Sequence, residues 1–100
     1  MQVKKYQSLE FERNEFGYMV CETGDYTALR EIPERCIFKP RSRFRNAVVG
    51  NMCNFGDGCE FENVQFGDGC GMVNGKCKGK VTHGRCFTAL NTKGKGGMCR

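Results

Sequence analysis

From Phe38 onward, large apolar residues recur in steps of 6, 5 and 6 positions. Phe38, Phe44, Val49 and Phe55 make one circuit; Phe55, Phe61, Phe66 and Met72 make the next. Three short steps per circuit predict three short strands, one per face, with a turn at each corner. The expected fold is therefore all-β: a short three-sided β-solenoid. Each repeated side chain points into the coil and stacks on its counterpart about 4.8 Å away.

The polar positions keep the same register. Cys36, Cys53 and Cys70 stand at i, i+17 and i+34, and Cys86 follows at i+50, so the chain holds three to four coils of that period. Asn46 aligns with Asn63, Ala47 with Val64 and Val81, and Gly50 with Gly67 and Gly84. Arg43 falls over Glu60 and Arg45 over Glu62, where cross-strand pairs of opposite charge interact favourably. The motif Phe-Gly-Asp-Gly-Cys occurs twice, at 55–59 and 66–70. Its glycines suit corners, where φ can be positive.

Phe55-Gly-Asp-Gly-Cys-Glu and Phe66-Gly-Asp-Gly-Cys-Gly resemble the hexapeptide repeat of left-handed β-helices, with Phe in the aliphatic place and Cys in the small place. The array also resembles the short Cys-x-Phe-Gly-x-Gly repeat proteins carried on bacteriophage and prophage genomes. The resemblance covers residues 36–92. It departs from the hexapeptide pattern in one five-residue face per coil (FRNAV, FENVQ) and in an irregular third coil around Lys76 to Lys80.

The ends follow other patterns. Residues 1–20 predict a β-hairpin with Leu9 and Phe11 opposite Phe16, Tyr18 and Val20. Residues 27–35 predict either a helical turn stopped by Pro33 or a first irregular coil. Residues 1–35 thus form a cap, 36–92 the coils, and 93–100 a flexible basic tail, within one domain. A solenoid needs its apolar ends covered, and the weakly capped last coil predicts a homodimer joined through a solenoid end.

Composition narrows the functional classes. The chain has 100 residues, eight cysteines and a net charge of +5. The first residues lack an apolar signal segment, so the chain is expected to be cytoplasmic, in a bacterial host if phage-encoded, with reduced thiols and no membrane association. The regular cysteine spacing predicts a ladder of buried small thiols rather than a metal site; Cys77, His83, Cys86 and Cys99 are the one conceivable ligand quartet, and their spacing fits no zinc motif. No metal or cofactor is expected.

His83 is the sole histidine and falls on the inward position of Val49 and Phe66. The hexapeptide resemblance implies an alternative, a minimal acyltransferase with His83 as general base between subunits of a trimer. Cys59 and Cys70 have no histidine in matching register, and Asp57 and Asp68 occupy corners. No catalytic residue is assigned. Lys39, Arg41, Arg43 and Arg45 alternate outward; with Lys76, Lys78 and Lys80 they form the expected binding surface. The expected function is that of a non-enzymatic binding protein. The phage resemblance implies an accessory factor that occludes a host protein or protein–nucleic-acid complex, a CRISPR effector being one concrete case. A nucleic-acid-binding module using the same basic face is the second alternative.

Overall fold

The computed structural model describes residues 4–90 and the backbone of residues 93 and 94. Eleven short strands stack in parallel as a three-sided β-solenoid of about four turns. The first face carries β1 (Met19–Cys21), β3 (Cys36–Phe38), β6 (Asn54–Asp57), β8 (Gly71–Val73) and β10 (Thr88–Leu90). The second carries β4 (Arg43–Arg45), β7 (Glu60–Glu62), β9 (Lys76–Lys78) and β11 (Lys93–Gly94). The third is built on β2 (Glu31–Ile32) and β5 (Val48–Val49), continued by bridges from Val48 to Gln65 and from Gln65 to Thr82.

The core is a set of vertical columns of like side chains. Phe38 pairs with Phe55 and Phe55 with Met72, while Phe44 pairs with Phe61. Within a column the rings lie nearly parallel, as in Phe44 on Phe61 at 5.3 Å. Between columns they meet edge to face, as in Phe55 against Phe61 at 4.9 Å and 85°. Both geometries suit the aromatic quadrupole and add about 0.5–1.5 kcal/mol per pair beyond burial. Cys36, Cys53 and Cys70 are buried at successive positions of one further column.

The repeated Phe-Gly-Asp-Gly-Cys resolves into distinct duties. A Cβ on Gly56 would lie 2.7 Å from the Pro40 nitrogen, so the first glycine lets two corners approach. The second, Gly58, has φ +76, a region that costs other L-residues about 1–2 kcal/mol. In the second copy, Gly67 and Gly69 divide the work in the same way. The next corner is tied by side chains. Asn51 Oδ1 accepts from Asp68 N–H and Asp68 Oδ1 from Arg85 N–H, both at 2.8 Å, each tie spanning one coil.

Several expectations change in detail. The solenoid starts at Met19, because β1 pairs with β3 and β2 with β5; residues 27–35 are the irregular first coil and form no helix. The expected hairpin reduces to one antiparallel bridge, Arg13 to Met19, closed by a turn in which Asn14 Oδ1 accepts from the N–H groups of Phe16 and Tyr18. Phe16 is 72% exposed rather than cross-strand packed. Tyr6, Leu9 and Phe11 still cover the first coil, with Tyr6 stacked on Tyr26 at 4.9 Å.

Cys86 is not the next rung of the thiol column. Thr88 pairs with Gly71 and Ala89 with Met72, which puts Phe87 above Cys70 and leaves Cys86 exposed at φ +55. Of the expected tail, Lys93 and Gly94 pair with Lys76 and Cys77, and residues 95–100 lie outside the described residues. No helix among the described residues is long and apolar enough to cross a membrane.

Candidate functional site

Strand alternation turns Phe44, Phe61 and Cys77 inward on the second face and their neighbours outward. The outward residues form two columns. Asp25, Arg43, Glu60 and Lys76 make one, through the Asp25–Arg43 bridge and the β4–β7–β9 pairing. Arg45, Glu62 and Lys78 make the other. Above Asp25, rows of positive, negative and positive charge therefore succeed one another up the face.

Arg43 Nε lies 3.5 Å from Glu60 Oε1, and Arg45 Nε lies 3.4 Å from Glu62 Oε1. All four side chains are about half exposed, so each pair contributes about 0–1 kcal/mol. Among the described residues Lys76 and Lys78 have no ion pair. Burial opposes ionisation of Asp25. Hydrogen bonds from the Thr27 hydroxyl (2.6 Å) and N–H (2.9 Å), with the charges of Arg43 and Lys5, outweigh it and hold the carboxyl below its usual range. Between the columns runs an open groove of about 460 Å³, with Thr27 at one end and Lys76 and Lys78 at the other.

The seven basic residues singled out in the sequence divide among three places. Arg43, Arg45, Lys76 and Lys78 share the second face. Lys39 and Arg41 lie at the corner before it, where Lys39 Nζ pairs with Glu22 at 3.0 Å. Lys80 stands past the next corner, beside Asn63, Gln65 and Thr82. The sequence register missed how Lys76 and Lys78 join the arginines. A strict i+17 step puts Cys77 over Glu60; the structure takes i+16 there, with the irregularity at Gly56, and sets Lys76 over Glu60. Asp25 and Thr27 were missed because the step from Asp25 to Arg43 is one position longer than the repeat. The extra residue falls between Phe38 and Arg43, where Arg41 takes φ +66.

The remaining candidates are placed as follows. His83 keeps its column above Phe66 but is exposed, since no described coil lies over it. Its ring stacks on Phe87 at 4.4 Å and its Nδ1 lies 2.9 Å from the Gly84 carbonyl. The seven described cysteines are free thiols, six of them buried. Burial raises the Cys59 and Cys77 thiols to about 11. Cys36 and Cys53 rise to about 11 chiefly through hydrogen bonds to neighbouring thiols, Cys21 and Cys36 respectively, with burial adding to it. Among the described residues no three His, Cys, Asp or Glu side chains converge as metal ligands, and Cys99 lies outside them. No protein-family model, curated protein or solved structure matches the chain.

Proposed function

We propose that this chain is a non-enzymatic binding protein that applies its second face to a host macromolecule and occludes it. The observation that carries this reading is the pair of charged columns on a stiff parallel sheet, where the four cations Arg43, Arg45, Lys76 and Lys78 outnumber the three acids Asp25, Glu60 and Glu62. Phe44, Phe61 and Cys77 between them are buried in the core, so the backbone that carries the charged residues is fixed before a partner arrives. Preorganisation of this kind reduces the entropy lost on association. The resemblance to phage-borne repeat proteins extends the proposal to an accessory factor in the bacterial cytoplasm, with a defence complex such as a CRISPR effector as target. Pairing of two copies through the end that carries Phe87 and Ala89 belongs to the same proposal, and a purely monomeric native mass spectrum removes it.

The test is chemical cross-linking and capture from a bacterial lysate with the wild type and with Arg43→Gln/Arg45→Gln/Lys76→Gln/Lys78→Gln. A partner enriched by the wild type and lost by the folded variant is expected. Equal capture by both proteins overturns the assignment of the face. The acyltransferase alternative draws less support, because the His83 ring is stacked on Phe87 rather than set in a cleft. The nucleic-acid alternative meets the difficulty that Arg43 and Arg45 already face glutamates.

A further inference from the structure

The geometry points to a second copy of this chain as an occupant of the same face: two molecules meet second face to second face, related by a dyad that runs parallel to the strands. This goes beyond the binding reading above and does not depend on it. It makes the face self-covering at high concentration, so that any other partner must displace the second copy.

The order of charge along the stack carries the inference. Rungs of Asp25, of Arg43 and Arg45, of Glu60 and Glu62, and of Lys76 and Lys78 succeed one another. Their signs run minus, plus, minus, plus. Turning a copy over about an axis parallel to the strands reverses that order and keeps each column opposite itself. Signs that alternate over an even number of rungs then meet their complement at every rung. With the axis between the arginine and glutamate rungs, Arg43 faces Glu60 of the second copy, Arg45 faces its Glu62 and Asp25 faces its Lys76. Each contact occurs twice, as in any isologous interface. Thr27 faces Lys78, a contact without charge conflict.

The pattern selects the register as well as the direction. Sliding one copy by a single rung puts Glu60 on Glu60 and Arg43 on Lys76. A dyad along the stack puts every rung on itself. Like-charge contacts of this kind reject both arrangements. The rungs of Lys5 and Lys93 lie beyond the four and would face each other, so the complementary stretch ends there. Arg43 and Arg45 reach their own glutamates through Nε, and a guanidinium also carries donors on both Nη atoms, so one arginine can serve two carboxylates. Four rungs span only about 14 Å. The pair therefore belongs with small, transient interfaces and forms at high chain concentration.

Analytical ultracentrifugation of the wild type, at up to about 1 mM chain, is expected to show a dimer at low salt. That dimer should disperse near 1 M salt, where screening reaches about 3 Å. A carbodiimide, which joins a carboxylate to a touching amine with loss of water, reads the orientation. Asp25 and Lys76 are three rungs apart in one molecule, about 14 Å, so an Asp25–Lys76 link forms only between copies. Two variants test the register. Arg43→Glu/Arg45→Glu and Glu60→Arg/Glu62→Arg each put like charges across their own dyad, but opposite charges across a dyad made of the two together. Each should sediment as a monomer and their equimolar mixture as a dimer. Cooperative thermal melts establish that both are folded; if either is not, the wild-type link and salt response decide. A wild type that stays monomeric at low salt overturns the inference, as does a mixture of folded variants that fails to pair. A dimer that persists at high salt without the Asp25–Lys76 link also overturns it, and is the outcome expected of pairing through the Phe87 end. Lysate capture that depends on the face, by a chain that stays monomeric, rejects the self-pairing and leaves the binding reading intact.

Discussion

Phe38 and Phe55 are one coil apart in sequence and lie face to face in the core, with ring centroids 5.2 Å apart and planes within 3° of parallel. Phe55 in turn meets Phe44, Phe61 and Phe66 edge on, so a single ring contacts four others. Truncating it opens a cavity that a stack of fixed rise cannot close. Phe55→Ala should lower unfolding free energy by about 3–5 kcal/mol in urea titration. Phe55→Asp, which buries a charge at the same place, should leave no cooperative transition, since small domains have only about 5–15 kcal/mol to lose.

Gly67 and Gly69 flank Asp68 but fail for different reasons when replaced. A Cβ at Gly67 would sit 2.9 Å from the backbone carbon of Gly50, in the coil below. Gly69 has φ +71 and its nearest foreign atom is the flexible Met52 sulfur at 3.2 Å. Gly69→Ala should cost about 1–2 kcal/mol from backbone strain. Gly67→Ala should cost more, because two backbones must separate, and equal denaturation midpoints for the two variants would contradict this account.

The buried thiols give the fold a dependence on alkaline pH. Cys36, Cys53, Cys59 and Cys77 have folded pKa values of about 11, raised from an ordinary 9.0. An unfolded chain ionises these groups first. Their contribution to stability is therefore complete below pH 9 and is lost as pH rises from there through 11. Thermal melts should fall steadily across that window. In the native state at neutral pH, a thiol reagent should modify exposed Cys86 first among the seven described cysteines, with the buried six reacting only on unfolding.

Arg43 and Glu60 offer a measure of the charged face itself. A double-mutant cycle with Arg43→Gln and Glu60→Gln should give a coupling of about 0.2–1 kcal/mol at low salt. The coupling should vanish near 1 M salt, where screening reaches about 3 Å. A coupling unchanged by salt would mean that the pair is held by packing rather than charge.

The central coils were legible because one physical cause wrote the pattern several times over. Phe38, Phe55 and Met72 occupy the same inward position in successive coils, and Arg43 and Arg45 stand over their glutamates as the spacing required. Regions with a single copy of their pattern were harder. The corner between Phe38 and Arg43 is longer by one residue than the one below it, which hid Tyr26 as the ring stacked under Phe44. The corner before Lys76 is shorter by one than the one before Glu60, which hid the lysine row. In both places a corner absorbs the change, and apolar spacing reports inward positions rather than corner lengths. Alternating residues suggest a hairpin at the N-terminus, yet Leu9 and Phe11 are needed as a lid on the coil beneath and have no strand partner. The 17-residue step points to Phe87 above Cys70 and the residue type to Cys86; the backbone pairing of Thr88 with Gly71 decides for Phe87.

The corner ties from Asn51 to Asp68 and from Asp68 to Arg85 each run upward to a backbone amide of the following coil. The coil that contains Asp68 thus carries both an attachment to the one below and a receptacle for the one above. Residues 53–69 form such a self-matching tile. An in-frame duplication of that tile would lengthen the molecule by one rise, about 4.8 Å, with Phe55 and Phe61 stacking on their own copies as Phe38 and Phe44 now stack on them. It would also set Glu60 and Glu62 over their own copies with no basic row between, a like-charge contact the present face avoids. Tandem copying of this tile would change the height of the stack and the charge of its face together.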